Sequence, residues 1–255
     1  MPSRIVGKDA RLYLDEFQLF LRLFEMEESF EVNTEESTVY SDNFKTFEPI
    51  DANGSFSLTG RMDDAGLASE QDATVSLDKA MFDNLFVDPV VATMLIEGAS
   101  PVAGRQAHYA KLLHGSIALQ LPRGGLGSLR LNGSTKERIS DGFLLALADV
   151  SLSAGVDTFL PAGGINVGGG FTKGVHAVYH IWKRTGAGTL TIAIQGSVLT
   201  GGPYTNRLTF PTTTGVGAKA QEQAETTDTE VFQRVRLNST TTETVSILVA
   251  SRRFS

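Results

Sequence analysis

The chain has 255 residues, no cysteine, 26 glycines and a formal net charge of −7. That length supports a full hydrophobic core in one large or two small domains, and the missing thiols exclude disulfides, thiolate metal sites and cysteine nucleophiles. Hydrophobic residues at 41% and charged residues at 20% exclude a globally disordered chain.

The acidic excess is local. Residues 1–64 hold six Lys or Arg against fourteen Asp or Glu, a net of −8, whereas residues 65–255 hold sixteen against fifteen, a net of +1. A protein that coats nucleic acid needs clustered cations, and only Lys183-Arg184 and Arg252-Arg253 are adjacent basic pairs. Met1 to Glu16 is too charged for a signal-peptide apolar region, and the longest apolar run, Val90 to Ile96, falls far short of a membrane span. The expectation is a soluble protein, compatible with synthesis in a cytosol.

The opening segment reads as a β-hairpin. Ala10 to Leu14 and Gln18 to Leu21 flank Asp15-Glu16-Phe17. Residues 22–35 then alternate. Phe24, Met26, Phe30 and Val32 share one parity; Glu25, Glu27, Glu31 and Glu35 share the other. In a strand this buries one face and lines the opposite face with carboxylates. Glu28 breaks the apolar parity, and a helix over residues 16–28 competes, because Leu, Glu and Met favour helices.

Residues 36–54, with Pro49 and Asn53-Gly54, read as a long loop, and Ser55 to Gly60 as a strand. Asp78 to Phe86 carries helical spacing, capped by Ser76 or Asp78 and ended by Pro89. Val90 to Glu97 is a short apolar strand. Tyr109 to Leu121 and Gly127 to Ser134 read as strands around the turn Pro122-Arg123-Gly124-Gly125. Residues 150–174 are rich in Gly, Ser and Ala, which suggests a domain junction or a glycine-rich loop. The last third offers five strands, at 175–182, 189–194, 207–210, 231–237 and 245–250, rich in Thr, Val and Ile. The fold expected is mainly β, a barrel or sandwich with one helix.

No catalytic constellation stands out. His176 and His180 have the i, i+4 spacing of a metal pair on a helix, but their apolar flanks predict a strand. There they lie roughly 13 Å apart at about 3.3 Å per residue. Gly124-Gly125-Leu126-Gly127 opens no helix, and Gly168 to Gly174 lacks the Gly-Lys-Ser/Thr ending of a phosphate loop. No serine sits in a Gly-x-Ser-x-Gly setting. The expectation is therefore no enzyme, no cofactor and no metal site. The acidic column at Glu25, Glu27, Glu31 and Glu35 reads either as a solvated strand face or as a surface that repels a polyanion, since attraction would hold passing phosphates.

The order of segments resembles the major tail tube proteins of long, non-contractile-tailed bacteriophages. Val6 to Asp15 is similar to the family's opening strand and turn, and Thr38 to Ile50 with Gly54 to Gly60 to its long loop and following strand. The helix at 80–86, Gly104 to Tyr109 and the Ser116 to Asn132 hairpin resemble the rest of its tube domain. Gly188 to Ile192, Thr209-Phe210, Phe232 to Leu237 and Val245 to Phe254 resemble a second β-domain of some members.

The resemblance implies a tail-tube-like β-barrel or sandwich with one flanking α-helix over residues 1–145. It implies a second β-rich sandwich domain over 146–255, as external decoration or a tandem tube-like unit. It implies a virion structural protein whose rings stack into a hollow tail tube, a conduit for DNA ejection. Rings of six subunits are expected, or three giving a pseudo-sixfold ring. The implied partners are further copies of the chain, other tail proteins at the tube ends, and viral DNA passing without specific binding. The implied location is the virion tail, after synthesis in the bacterial cytoplasm. Glu25, Glu27, Glu31 and Glu35 are the expected lumen-lining residues. Tyr40, Asp42, Phe44, Lys45 and Phe47 are expected on an inter-ring loop. The alternatives are a tail-tip or decoration module, or a carbohydrate-binding β-sandwich with Trp182 and Tyr179 or Tyr204 as a sugar platform.

Overall fold

The computed structural model describes residues 11–18, 23–36, 47–61, 90–95, 102–120, 128–135, 140–168, 174–224 and 230–254. Among these residues all regular structure is β. The strands are β1 (Arg11–Leu14), β2 (Phe17–Gln18), β3 (Leu23–Glu36), β4 (Phe47–Arg61), β5 (Val90–Leu95), β6 (Gln106–Gln120), β7 (Ser128–Thr135) and β8 (Ser140–Leu152). They continue as β9 (Thr158–Asn166), β10 (Gly174–Arg184), β11 (Leu190–Ser197), β12 (Thr205–Thr209), β13 (Gly217–Ala224), β14 (Phe232–Ser239) and β15 (Glu243–Phe254). The helix expected at 78–86 lies outside the described residues.

Two antiparallel sheets result. Eleven strands form one, in the order β13-β10-β15-β8-β6-β5-β1-β2, with β7 added to β6, β4 to β7 and β3 to β4. Four strands form the other, in the order β12-β11-β14-β9. The large sheet curls into a half-barrel. The curl brings β1 over β10, so that the Tyr13 and Trp182 rings lie 5.2 Å apart.

Side-chain alternation builds two cores on opposite faces of the same strands. On β10, Val175, Ala177, Tyr179 and Ile181 face a core shared with the four-stranded sheet, where Ile192, Ile194, Val235, Leu237, Leu208 and Phe210 meet them. Val178 and Trp182 face the half-barrel interior, packed with Tyr13, Val91, Leu95, Tyr109 and Leu144. Burial on both faces is worth about 1.5–3 kcal/mol for each large aliphatic side chain. It also explains why β10 is buried from Gly174 to Trp182. By contrast, β14 has one face on the core and one open, and its burial alternates along the whole strand.

Two expectations change. The loop expected at 36–54 gives way to strand over 47–54, because β4 begins at Phe47 and pairs with β3 from Glu36↔Phe47 to Leu23↔Gly60. Asn53-Gly54 therefore lies in a strand, opposite Glu31 and Phe30, and Pro49 falls where the register shifts, a place a strand tolerates a residue without N–H. The continuous ladder outweighs the local turn signal. Second, residues 150–174 contain the end of β8 and all of β9. The division expected at 145/146 falls within β8, which pairs with β6 on one side and β15 on the other.

One position tests the closeness of β8 and β15. A Cβ at Gly142 would overlap the main-chain carbonyl of Ser251 and come within 3.1 Å of the Tyr109 ring. Gly142→Ala is expected to cost at least the ~1–3 kcal/mol typical of overpacking, read as a lower urea midpoint.

Candidate functional site

The acidic strand stands at the end of an arm. The first part of β6 belongs to the half-barrel, pairing Gln106–Tyr109 with β8 and Ala107–Leu112 with β5. Its second part, Leu112–Gln120, pairs with β7 instead. β4 then joins β7, and β3 joins β4. Among the described residues β3 pairs with β4 alone, so one side of this 14-residue strand is an open edge. Glu25, Glu27 and Glu31 occupy alternate register positions opposite Thr59, Ser57 and Asn53; Glu35 stands beyond a register shift, opposite Glu48. The strand reading of residues 22–35 thus prevails over the helical one across Leu23–Glu36. Of the residues expected on an inter-ring loop, Phe47 is the first residue of β4, and Tyr40, Asp42, Phe44 and Lys45 lie outside the described residues.

The half-barrel interior holds a chain of buried polar groups. His176 and His180 stand on β10, facing the same interior, but each has its own partner. Ser140 Oγ hydrogen-bonds His176 Nδ1 at 2.7 Å, and the Tyr109 hydroxyl donates to the His176 carbonyl at 2.7 Å. His180 Nδ1 lies 2.8 Å from the Asp15 carbonyl, which can only accept, so Nδ1 carries the proton. Nε2 is then the acceptor, and Thr93 Oγ1 donates to it at 2.7 Å. Burial lowers the His180 imidazole to about pH 4, against the opposing effect of the Asp15 carbonyl. Burial raises the Asp15 carboxyl to about 7, and Glu16 adds to this. Burial likewise pushes the Tyr109 hydroxyl well above its ordinary range. Among the described residues no group of three or more His, Cys, Asp or Glu side chains could hold a metal ion.

Three further polar sites lie on the sandwich side. Arg184, at the end of β10, makes two contacts to Glu243 at the start of β15, at 2.5 and 2.8 Å. It also donates to the carbonyls of Thr213 and Gly188, and Ser239 donates to Glu243. Both charged side chains are essentially inaccessible, at 2% and 0% exposure. Burial pushes the Glu243 carboxyl up, but the bonds from Arg184 and Ser239 outweigh this and hold it below the ordinary carboxylate range. Arg207 pairs with Glu230, which also accepts from Thr205.

On the outer face of the four-stranded sheet, the Arg234 guanidinium sits 3.9 Å from both the Phe159 and the Tyr204 rings and donates to Gln195 at 2.9 Å. The sugar platform considered for Trp182 does not form. Trp182 is buried in the half-barrel, Tyr179 faces the opposite core edge-on to Phe210 at 4.9 Å, and Tyr204 stacks on Arg234. Sequence reading missed Asp15, Arg184 and Glu243: Asp15 meets Val91 and His180 across 76 and 165 residues, and Arg184 meets Glu243 across 59.

No family model and no curated protein matches the chain. Among solved structures it is similar to a chain in the virion of a native gene transfer agent particle, with 17% identity over 53% of this chain and 97% of that one, at a TM-score of 0.41. It is similar to the Dit protein of phage SPP1, with 10% identity over 95% and 99% of the two chains and a TM-score of 0.33. It is also similar to a chain of the phage P2 baseplate in its activated conformation with Ca, with 8% identity over 96% and 99% and a TM-score of 0.38.

Proposed function

We propose that this chain is a structural subunit of a bacteriophage tail, polymerising into stacked rings that form the hollow tail tube. The observation that carries the reading is the 14-residue β3 edge, open among the described residues, at the end of a four-strand arm and bearing Glu25, Glu27, Glu31 and Glu35. An edge of this length is a template for pairing with another chain, and a ring of identical subunits removes it by closing edge on edge. Its charge suits a wall along which DNA must slide, because phosphate binding would hold the polyanion. The segment order resembling tail tube proteins supports the same assignment.

On this reading six subunits form each ring, and three giving a pseudo-sixfold ring is the other arrangement. Residues 1–145 supply the ring-forming edges and the acidic wall. Tyr40, Asp42, Phe44, Lys45 and Phe47 reach toward the adjacent ring. Residues 146–255 form the outward decoration, joined to the tube portion through the continuous large sheet. The chain works as a non-enzymatic virion component, made in the bacterial cytoplasm, meeting other tail proteins at the tube ends.

The test is a negative-stain micrograph of the purified chain at high concentration, with mass spectrometry of isolated tails. Long hollow filaments, and the chain as the most abundant tail protein, are the expected results. Monodisperse particles at every concentration, with the chain missing from tails, defeat the reading. A single copy per tail tip would move it to the tip or decoration class.

A further inference from the structure

We propose that Asp15 is a proton-operated latch, which holds the β1–β2 hairpin on the half-barrel while its carboxyl is neutral and loosens that hairpin when it ionises. The inference stands apart from the assembly reading and rests on how the turn is docked. Asp15 is the first residue of the tight turn between β1 and β2 and lies in the left-handed region, with φ of 47°. All its polar groups serve the docking. Its N–H donates to the Val91 carbonyl at 2.9 Å, its carboxyl accepts from the Val91 N–H at 3.0 Å, and its carbonyl accepts from His180 Nδ1 at 2.8 Å. One residue therefore ties the turn to β5 and to β10 together.

Among the described residues, one main-chain N–H is the group that compensates a negative charge on Asp15. Among the described residues, the groups facing Asp15 from each packed element are few. β5, running Val90–Leu95, offers no titratable side chain. β10 offers His180, which burial keeps neutral, with the proton on Nδ1 and Thr93 donating to Nε2. β1 offers the Tyr13 ring, and the turn itself offers Glu16, another acid. An ionised carboxylate in such a place is costly, and the chain can relieve the cost by letting the turn swing into water. The positions of the two titrations agree: Asp15 changes charge at about 7 and His180 at about 4, so between them the acid holds a proton and the base does not. Release of β1 would bare the side of β5 that pairs Leu95↔Arg11 to Ala92↔Leu14.

The sequence supplies its own reporter. Trp182 is the one tryptophan, and its ring packs against Tyr13 of β1. Tryptophan emission of the full chain, followed from pH 5 to pH 9, should show a transition centred near the Asp15 value of about 7. Amide exchange in β5, corrected for the intrinsic pH dependence, should rise about tenfold for each pH unit from the ordinary carboxylate range up to about 7 and level off above it, as one-proton linkage requires. Asp15→Asn should remove the transition. Should that variant fail to fold, Glu16→Gln serves instead: removing the neighbouring charge should move the midpoint to lower pH. A flat wild-type profile, an unchanged transition in Asp15→Asn, or an unmoved midpoint in Glu16→Gln overturns the proposal.

Discussion

Replacing Arg184 by methionine should lower the free energy of unfolding by about 3–5 kcal/mol, the usual cost of leaving one member of a buried ion pair without its partner. The geometry puts this pair at the strong end. Arg184 contacts both carboxylate oxygens of Glu243, and neither side chain is reachable by water. Arg184 further donates to the carbonyls of Thr213 and Gly188, so its loss also removes hydrogen bonds that tie down two loops. The pair also joins strand ends from both sheets, because Ser239 at the end of β14 donates to the same carboxylate. Equilibrium urea unfolding read by Trp182 emission measures the effect.

Arg184→Met combined with Glu243→Leu should recover most of the loss, since an apolar pair of similar volume avoids the desolvation cost of two charges. A loss under about 1 kcal/mol in the single variant would show that the pair behaves like an exposed one. The pH dependence has a definite sign. The folded-state value of Glu243 lies below the ordinary carboxylate range, so its contribution is present above that range and is lost as pH falls through the folded value.

What the sequence makes legible depends on how many faces a strand buries. β14 has one wet face, and Gln233, Val235 and Leu237 alternate cleanly with Arg234 and Arg236. The strand is readable from 231–237 alone. In β8 the signal fails. Leu144 faces the half-barrel and Leu145 the sandwich core, so Phe143-Leu144-Leu145-Ala146-Leu147 shows no period. β9 carries Pro161, Gly163 and Gly164, and β13 is polar, reading Gly217 to Ala224; both are edge strands, where weak propensity suffices. The acidic column was legible because Phe24, Met26, Phe30 and Val32 share one parity and Glu25, Glu27 and Glu31 the other, with Glu28 the exception. Asp15 was legible only as a turn residue, since nothing near position 15 announces that Val91 and His180 close over it.

Charge reversal on the acidic strand gives the sharpest functional expectation. Glu25→Lys together with Glu31→Lys takes the net charge of residues 1–64 from −8 to −4 and places cations at two alternate positions of β3. If the strand lines the lumen, the two changes leave subunit contacts intact and tubes of normal length assemble. DNA then meets a wall carrying lysines in every ring, each able to neutralise a phosphate. The attraction accumulates along the tube, and DNA ejection from such tails should slow at least about tenfold at low ionic strength. Raising the salt should restore much of the rate, because attraction driven by counterion release weakens steeply with salt. Glu25→Gln with Glu31→Gln, which removes repulsion without adding attraction, should fall between the two. Normal ejection by the lysine variant at low salt would take Glu25 and Glu31 off the lumen wall. Failure to form tubes would place them instead in the contact between subunits, where the open edge of β3 meets its neighbour.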